Sequence, residues 1–377
     1  MGNLNSLAEL LTMFFLTTYA IINIVVFLEQ FTGIVSYRPT LSMSIFVPVI
    51  GAIGCLSVMI LINPLFTVIT FVTVIVIYSR LKRKNFTSPW GDVRGGVFIS
   101  IAERAAQKAM NIPYHPRLWK PSVAISVEHP DDFRRVSRFV QHLIKPAGRA
   151  YYLTVTPPDE YDGHDHDIDI EDALAPLREE QIYAQKVIIT SSDFQGILVP
   201  ALQCLQSSFL PPNMILFTVS NDAEKRDRLK NLLHTIRSIS MAVCCLWLHP
   251  KYNLGMERKI NLWLRDKSPN NDLAVLCALQ FAKNFGAELN LLRVVDNELS
   301  VEKVYTQMES FVEEARLPAN TKIRVLTGDF FNVFPEEHAD LSLLGMPLKY
   351  EQMIELIECA NNSLLFLSSS GLENALI

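Results

Sequence analysis

The sequence predicts a mixed fold, in which three transmembrane α-helices are followed by a cytosolic α/β domain made of two Rossmann-like halves. Of the 377 residues, 49% are hydrophobic and the mean hydropathy is +0.20, which is high for a soluble protein. The apolar residues are concentrated in the first 80 positions, whereas short β-branched runs alternate with helical segments from about residue 118 onward. These observations indicate that the first part contacts lipid and that the remainder folds around a parallel sheet.

Residues 1–80 contain the three predicted membrane helices, at about 8–30, 41–62 and 64–80. The run from Leu10 to Leu28 contains no charged residue, which suits one span of roughly 20 residues. The uncharged run from Thr40 to Tyr78 is long enough for two spans. Asn63-Pro64 divides that run, because this dipeptide favours a turn and proline can start the next helix.

Residues 81–117 are predicted to form a basic linker and a connecting helix. Between Arg80 and Lys120 there are nine basic residues and two acidic ones, which by the positive-inside rule places this side of the membrane in the cytoplasm. The segment VFISIAERAAQKAM has apolar residues at helical spacing and is predicted to be an amphipathic helix. We therefore expect a multi-pass protein of the cell membrane, with residues 81–377 in the cytoplasm.

The part of the chain after Pro121 is acidic, with 24 basic and 35 acidic residues. This balance disfavours nucleic acid as a partner, because binding to nucleic acid depends on neutralising phosphates. The five cysteines of this part show no CxxC or ligand-like spacing, and the sixth, Cys55, lies within a predicted span; the five are Cys204, Cys244, Cys245, Cys277 and Cys359. We expect them to be reduced thiols that are mostly buried.

The cytosolic domain is predicted to consist of two α/β halves, residues 118–252 and 253–377. In each half, strand-like runs such as SVAISV or SLLFLS alternate with helical segments, a pattern typical of parallel βαβ units. The similar sizes of the halves suggest a duplicated architecture, although no repeat is visible at the level of residues. One acidic stretch of the first half, PPDEYDGHDHDIDIED, is interpreted as a solvated loop.

Few residues carry obvious ligand chemistry. The acidic stretch contains four side chains that could ligate a divalent ion, His164, Asp165, His166 and Asp167. Such a loop is more often only solvated, and we predict no metal site and no cofactor. GxGxxG and GxxxxGK[ST] motifs are absent. The candidates for phosphate binding are Ser191, Ser192 and Gly196 in TSSDFQG, together with the SSSG turn, and ordinary helix caps explain such serines better.

The sequence has no Ser/His/Asp order, nucleophile elbow or HExxH motif, so enzyme activity is not expected. Within the first span, Thr12, Leu16, Tyr19 and Asn23 fall on one helical stripe, which directs Tyr19 and Asn23 to the same side. Polar side chains inside a span are costly unless they face protein or a watery path. Spacing leaves both a pore-lining role and packing against a neighbouring helix open, and it favours packing.

Three segments are similar to the tenth to twelfth membrane helices, and the start of the cytosolic tail, of cation-chloride cotransporters. They are LAELLTMFFLTTYAIIN, the YRP loop that follows the first span, and WGDVRGGVFISIAERAA after the third. The tail resembles that family's C-terminal domain, in which two halves related to the universal stress protein fold mediate homodimer formation. The small residues Gly51, Ala52, Gly54 and Cys55 suit close helix packing, and the resemblance places the second span near the dimer contact.

The resemblance implies that the chain is the C-terminal portion of a chloride-coupled Na⁺/K⁺ symporter. Its implied partners are chloride, these cations, the lipid bilayer and a second copy, bound through the cytosolic domain and the last two membrane helices. The family's first nine membrane helices, which carry most of the substrate site, are missing, so this polypeptide alone is expected not to transport.

Two residues receive roles from the resemblance. Tyr19 occupies the position of a tyrosine whose hydroxyl helps to coordinate chloride, whereas Thr12 and Asn23 receive no role. Gly345, in ADLSLLGMP, stands where stress proteins carry a phosphate loop, but Met346 and Pro347 replace the fuller glycine/serine loop. The alternative function is a membrane-anchored, stress-protein-like sensor that binds a nucleotide in its α/β domain.

Overall fold

The computed structural model describes residues 4–32, 41, 43–83, 93–113, 115–127, 130–159, 165–236, 239–250 and 257–375. The chain divides into two compact units, Met1–Pro113 and Tyr114–Ile377. The predicted boundary between the two α/β halves, at residues 252 and 253, lies within the stretch 251–256, which is outside the described residues.

The described part of the first unit is helical, and its helices are α1 (Leu4–Thr32), α2 (Phe46–Ile62), α3 (Pro64–Arg83) and α4 (Val93–Met110). Two stretches are long and apolar enough to cross a membrane, Leu11–Thr32 and Pro64–Leu81, with 22 and 18 residues. The α2 helix is apolar but has only 17 residues. The predicted break at Asn63-Pro64 is confirmed, because the Asn63 side-chain oxygen accepts a hydrogen bond from the Phe66 amide at 3.1 Å and so caps α3.

The α1 and α2 helices pack side by side in opposite directions. Met13 and Ala20 of α1 and Ala52 and Met59 of α2 are buried, although most other apolar side chains of these helices are exposed. Gly51 lies so close to α1 that a Cβ atom there would be 2.7 Å from the Asn23 side-chain oxygen. Small residues therefore bring these two helices together within one chain, whereas Gly54 faces open space.

The amphipathic helix predicted after the third span is confirmed as α4, and it is attached to the C-terminal end of α1. The Ser100 hydroxyl donates a hydrogen bond to the Thr32 carbonyl oxygen at 3.1 Å. The Arg104 guanidinium donates to the Phe31 carbonyl oxygen at 3.2 Å and lies 4.1 Å from the centre of the Phe31 ring. A cation at a helix C-terminus also interacts favourably with the helix dipole.

The described part of the second unit contains ten strands, which form one sheet. Those of the first half are β1 (Ser122–Val127), β2 (Arg149–Thr156), β3 (Tyr183–Thr190), β4 (Met214–Thr218) and β5 (Ala242–Trp247). Those of the second half are β6 (Lys259–Trp263), β7 (Glu288–Val295), β8 (Lys322–Thr327), β9 (Leu341–Gly345) and β10 (Ser363–Ser368). The helices between them are α5 (Pro130–Ile144), α6 (Asp165–Glu179), α7 (Phe194–Gln206), α8 (Ala223–Ile236), α9 (Asn271–Phe285), α10 (Val301–Glu314), α11 (Phe330–Val333) and α12 (Tyr350–Cys359).

The sheet order is β3-β2-β1-β4-β5-β10-β9-β6-β7-β8. Each half has the strand order of a doubly wound Rossmann fold, and the second half repeats the first about an approximate two-fold axis. All pairs are parallel except β5 and β10, which are antiparallel, with Leu365 opposite Leu246. The duplicated architecture expected from the sequence is therefore present in the topology, and the halves share one sheet.

Equivalent helices of the two halves pack together on both faces of this sheet. On one face the rings of Phe139 in α5 and Phe281 in α9 are 4.6 Å apart, and the Asn284 side chain donates to the Lys145 carbonyl oxygen at 3.1 Å. On the other face Lys230 of α8 binds Glu351 of α12 at 2.7 Å. Because helices of both halves enclose the core, neither half is an independent packing unit.

The acidic stretch was predicted wrongly as a loop over its whole length. The described structure begins α6 at Asp165, and this helix continues to Glu179. Ile170, Ala173, Leu174 and Leu177 recur at helical spacing and are buried in the core. Burial of this apolar stripe stabilises a helix whose first turn is acidic, which also suits the positive end of the helix dipole.

The expectation of mostly buried thiols holds for three of the five cysteines of the α/β domain. Cys244, Cys245 and Cys277 are buried, Cys55 and Cys359 are half-buried, and Cys204 is exposed on α7; all six are free. Burial raises the pKa of the Cys245 thiol to about 12 and raises the pKa values of the Cys244 and Cys277 thiols. These three side chains therefore behave as small apolar core residues.

Candidate functional site

A crevice opens at the carboxyl ends of β1, β4 and β5 in the first half. The order of the strands reverses between β1 and β4, because β1 pairs with β2 on one side and with β4 on the other. The helices that follow these two strands, α5 and α8, lie on opposite faces of the sheet and leave a gap between them. Open α/β sheets bind their ligands at such a reversal point.

The walls of this first crevice are cationic. Arg134, Arg135 and Arg138 of α5 face Lys225 and Arg228 of α8 across a cavity of about 810 Å³. Among the described lining residues there is no aspartate or glutamate. Five basic side chains that line one cavity create a positive potential, which low-dielectric walls strengthen. The crevice is therefore suited to an anion.

The floor of the first crevice combines aromatic and polar groups. Trp247 and His249 pack edge to face with ring centres 5.6 Å apart, and the Trp247 indole donates to the Asn221 side-chain oxygen at 3.3 Å. The Ser126 hydroxyl near the end of β1 is buried and has no hydrogen-bond partner among the residues that the structure describes. Aromatic rings, a hydroxyl and several cations are the groups that hold an organic anion.

The turn that contains Ser191, Ser192 and Gly196 is a helix cap. Asp193 is the N-cap of α7, and its side chain accepts a hydrogen bond from the Gly196 amide at 2.9 Å. The Ser191 hydroxyl accepts from the Asp193 amide at 3.1 Å. Because a carboxylate already occupies the helix N-terminus, this turn disfavours a phosphate.

Gly345 lies close to side chains of the loop that precedes α9. A Cβ atom at this position would be 3.3 Å from the Asn270 side chain and 3.5 Å from the Ser268 hydroxyl oxygen. Glycine therefore lets the loop before α9 approach the end of β9. The structure does not bring Gly345 together with the turn near Ser191, which belongs to the other half.

The polar residues of α1 do not share one environment. Asn23 donates a side-chain hydrogen bond to the Tyr19 carbonyl oxygen at 2.9 Å and contacts Gly51 of α2. Thr12 donates to the Ala8 carbonyl oxygen at 2.8 Å within its own helix. The Tyr19 side chain is 55% exposed. Packing thus accounts for Asn23, while Tyr19 points away from the buried contact between α1 and α2.

The four side chains considered for a metal lie outside the side chains that the structure describes. No group of three or more histidine, cysteine, aspartate or glutamate side chains in the described structure is arranged to hold a metal ion. His164 lies outside the described residues. Asp165, His166 and Asp167 lie in the first turn of α6.

These features define a class of protein: an N-terminal unit of apolar helices and a tandem Rossmann-like α/β domain. Two family models match the α/β domain, "Prokaryotic cation-chloride cotransporter, C-terminal domain, 1st" over residues 125–254 and "C-terminal domain, 2nd" over residues 255–376. The chain belongs to the cation-chloride cotransporter family. As a member of a transporter family it is a membrane protein, and this α/β domain is the cytosolic C-terminal domain of that family.

The similar proteins agree with this family. "Cation-chloride cotransporter 1" of Oryza sativa subsp. japonica is 26% identical over 254 residues, which cover 63% of this chain and 25% of the relative. The crystal structure of the cytoplasmic domain of a prokaryotic cation chloride cotransporter matches with a TM-score of 0.61 and 24% identity, covering 68% of this chain and 99% of that one. The chain thus spans about a quarter of the length of its curated rice relative.

A more distant similarity concerns the outline of the α/β fold. A universal stress protein from Archaeoglobus fulgidus DSM 4304 matches with a TM-score of 0.41 and 14% identity, covering 64% of this chain and 97% of that one. At this level the likeness says nothing about ligands.

The basic residues of the first crevice were missed at the level of sequence. The motifs DDFRRVSRF and EKRDRLK look like ordinary solvated helix faces, because charged residues on a helix usually face water. The available signal is positional, since both motifs begin helices that follow neighbouring strands of the sheet. Recognising that α5 and α8 flank the reversal point requires the strand order.

Proposed function

We propose that this chain is the C-terminal portion of a chloride-coupled Na⁺/K⁺ symporter, contributing part of the transport bundle and a cytosolic regulatory and dimerisation domain. The observation that carries the proposal is the match of both halves of the α/β domain to cotransporter C-terminal domains, behind a unit of apolar helices. The remaining membrane helices of the complete transporter would supply most of the substrate site.

In this proposal α1, α2 and α3 all cross the membrane. The 17 residues of α2 lie at the short end of the range for a span, and its packing against α1 supports a common depth for the two helices. Cysteine substitutions test this topology. Positions in the Arg80–Lys84 cluster are expected to react with an impermeant maleimide only after the cell membrane is opened, and labelling in intact cells would contradict the orientation.

Tyr19 is proposed to contribute a hydroxyl to a chloride site in the assembled transporter. Its side chain is exposed in this chain, so it is accessible to helices that the chain does not contain. Tyr19→Phe removes only the hydroxyl, and we expect weaker chloride-dependent cation flux with normal expression. Tyr78→Phe on α3 is the matched control. Unchanged chloride dependence in Tyr19→Phe would contradict the proposal.

The homodimer is proposed to form through the cytosolic domain and the last two membrane helices. The outer surface of α3 supports this, because its apolar side chains are almost all exposed in a single chain. Light scattering of the purified chain in detergent is expected to give twice the chain mass. A strictly monomeric protein at high concentration would contradict the dimer.

A second candidate function is nucleotide sensing by the α/β domain. The cationic first crevice favours it, since a nucleotide combines phosphates for the arginines with a base for Trp247 and His249. The test is titration of the chain with ATP by calorimetry. Binding is expected to weaken strongly in Arg135→Gln/Arg138→Gln and to survive in Lys303→Gln on α10, and the absence of saturable binding would exclude this function.

A further inference from the structure

The second half has its own strand reversal, between β6 and β9, and therefore its own potential crevice. It lies at the carboxyl ends of β6, β9 and β10, where Gly345 ends β9 and Asn270 precedes α9. The approximate two-fold axis relates this place to the cationic crevice of the first half. The two equivalent places are filled differently.

The last described segment of the chain, Ser369–Ala375, follows β10 and lies against the start of α9, beside the second crevice. The Ser369 amide donates to the Asn270 side-chain oxygen at 2.9 Å, and the Ala375 amide donates to an Asp272 side-chain oxygen at 3.4 Å. Both acceptors belong to the start of α9. The segment is thus attached at its two ends to the helix that borders the second crevice.

Glu373 is the central contact of this segment. Its side chain is buried, and one carboxylate oxygen accepts from the Ser369 hydroxyl at 2.6 Å and from the Ser370 amide at 3.0 Å. The other oxygen accepts from the Ser370 hydroxyl at 2.8 Å. A buried carboxylate is stable only when such donors surround it. The second crevice therefore already contains an anionic group, supplied by the chain itself.

The hydroxyls of Ser369 and Ser370 also accept hydrogen bonds from backbone amides of the same segment. The Gly371 amide donates to the Ser369 hydroxyl oxygen at 3.0 Å, and the Leu372 amide donates to the Ser370 hydroxyl oxygen at 3.3 Å. Each hydroxyl thus links a backbone amide to the Glu373 carboxylate. Removing the carboxylate leaves both hydroxyls without their acceptor, so the whole turn depends on one side chain.

We propose that Ser369–Ala375 is a strap that closes the second crevice, with Glu373 as its latch. The closed strap keeps ligands out of the second crevice. Release of the latch exposes the serine hydroxyls and amides, which then donate hydrogen bonds to a small carboxylate from solution. The proposal does not depend on what the first crevice binds.

Hydrogen exchange of the full chain in detergent tests the latch. In Glu373→Ala, the amides of Ser370, Gly371 and Leu372 are expected to exchange at least about tenfold faster. The Ser370 amide loses its carboxylate acceptor, and the other two amides donate to serine hydroxyls that the carboxylate holds in place. Formate, added at the same ionic strength as a chloride control, is expected to restore part of the protection. Unchanged exchange in Glu373→Ala would overturn the proposal, and so would loss of protection across all of β10.

Two further variants separate the latch from general destabilisation. Glu373→Gln keeps the volume and one acceptor oxygen, and it is expected to show intermediate exchange. Glu358→Ala removes an exposed carboxylate from α12 and is expected to leave the exchange of the strap unchanged. Equal acceleration in Glu358→Ala and Glu373→Ala would also overturn the assignment of Glu373 as the latch.

Discussion

The contact between α5 and α9 is predicted to hold the two α/β halves together, and Phe281→Ala tests it. Phe281 is fully buried, and its ring packs 4.6 Å from the ring centre of Phe139 and 6.0 Å from that of Phe285. Truncating a buried phenylalanine removes its transfer free energy and leaves a cavity, which together cost about 3–5 kcal/mol. This total includes the loss of the interaction between the two rings, which contributes about 0.5–1.5 kcal/mol.

The measurement is urea unfolding of residues 114–377, followed by tryptophan fluorescence and circular dichroism. Residues 114–377 contain Trp119 and Trp247 in the first half and Trp263 in the second, so variants that retain only Trp247 or only Trp263 report on each half separately. We expect the free energy of unfolding to fall by about 4 kcal/mol. We also expect the two tryptophans to report one common transition, because β5, β10 and the paired helices join the halves in one core.

Phe209→Ala is the matched control, because Phe209 lies after α7 and is 49% exposed. Its effect on the free energy of unfolding is expected to stay within about 0.5 kcal/mol. A loss below about 1 kcal/mol in Phe281→Ala would refute the cavity reasoning. Separate transitions for the two halves would refute their coupling through this contact.

Three other predictions follow from described contacts. Gly51→Leu is expected to push α2 away from Asn23 and to lower the stability by about 1–3 kcal/mol in a thermal unfolding assay in detergent. Gly54→Leu is expected to have little effect, because Gly54 faces open space. Equal effects of the two substitutions would contradict the α1–α2 contact. In native protein a maleimide is expected to label Cys204 on the α/β domain but Cys245 only after denaturation, and equal rates would contradict its burial. A hydrogen bond from Lys186 lowers the pKa of Glu171, so the stabilisation that this pair contributes is present at neutral pH and is lost as the pH falls through the lowered pKa. The difference in unfolding free energy between the wild type and Glu171→Gln should therefore disappear in acid. A difference that grows in acid would contradict the pairing.

Local patterns were sufficient for most elements of the α/β domain. Runs such as SVAISV and SLLFLS are buried strands, because β-branched and large apolar residues suit a sheet that is covered on both faces. The helix α6 was missed because its acidic first turn outweighs four core residues in composition, although not in burial. Periodicity is the better signal in such a segment.

The candidate sites were less predictable than the strands. The serine turns at Ser191 and at Ser369 looked alike in the sequence, yet the first caps α7 and the second encloses a buried carboxylate. The difference depends on Glu373, which lies four residues after Ser369 and becomes its partner only when the chain folds back. Sequence spacing does not distinguish these arrangements, because both are local hydrogen-bonded turns.

The sequence by itself determined that apolar helices precede a two-part α/β domain, because hydrophobic length and periodicity depend only on neighbouring residues. Its motifs also indicated the cotransporter family, which both family models confirm. Only the tertiary structure decided that the halves share one sheet through β5 and β10, and that one crevice is cationic while its equivalent is closed by Glu373. The reason is that these properties arise between residues far apart in the chain, so they exist only once the strand order brings them together.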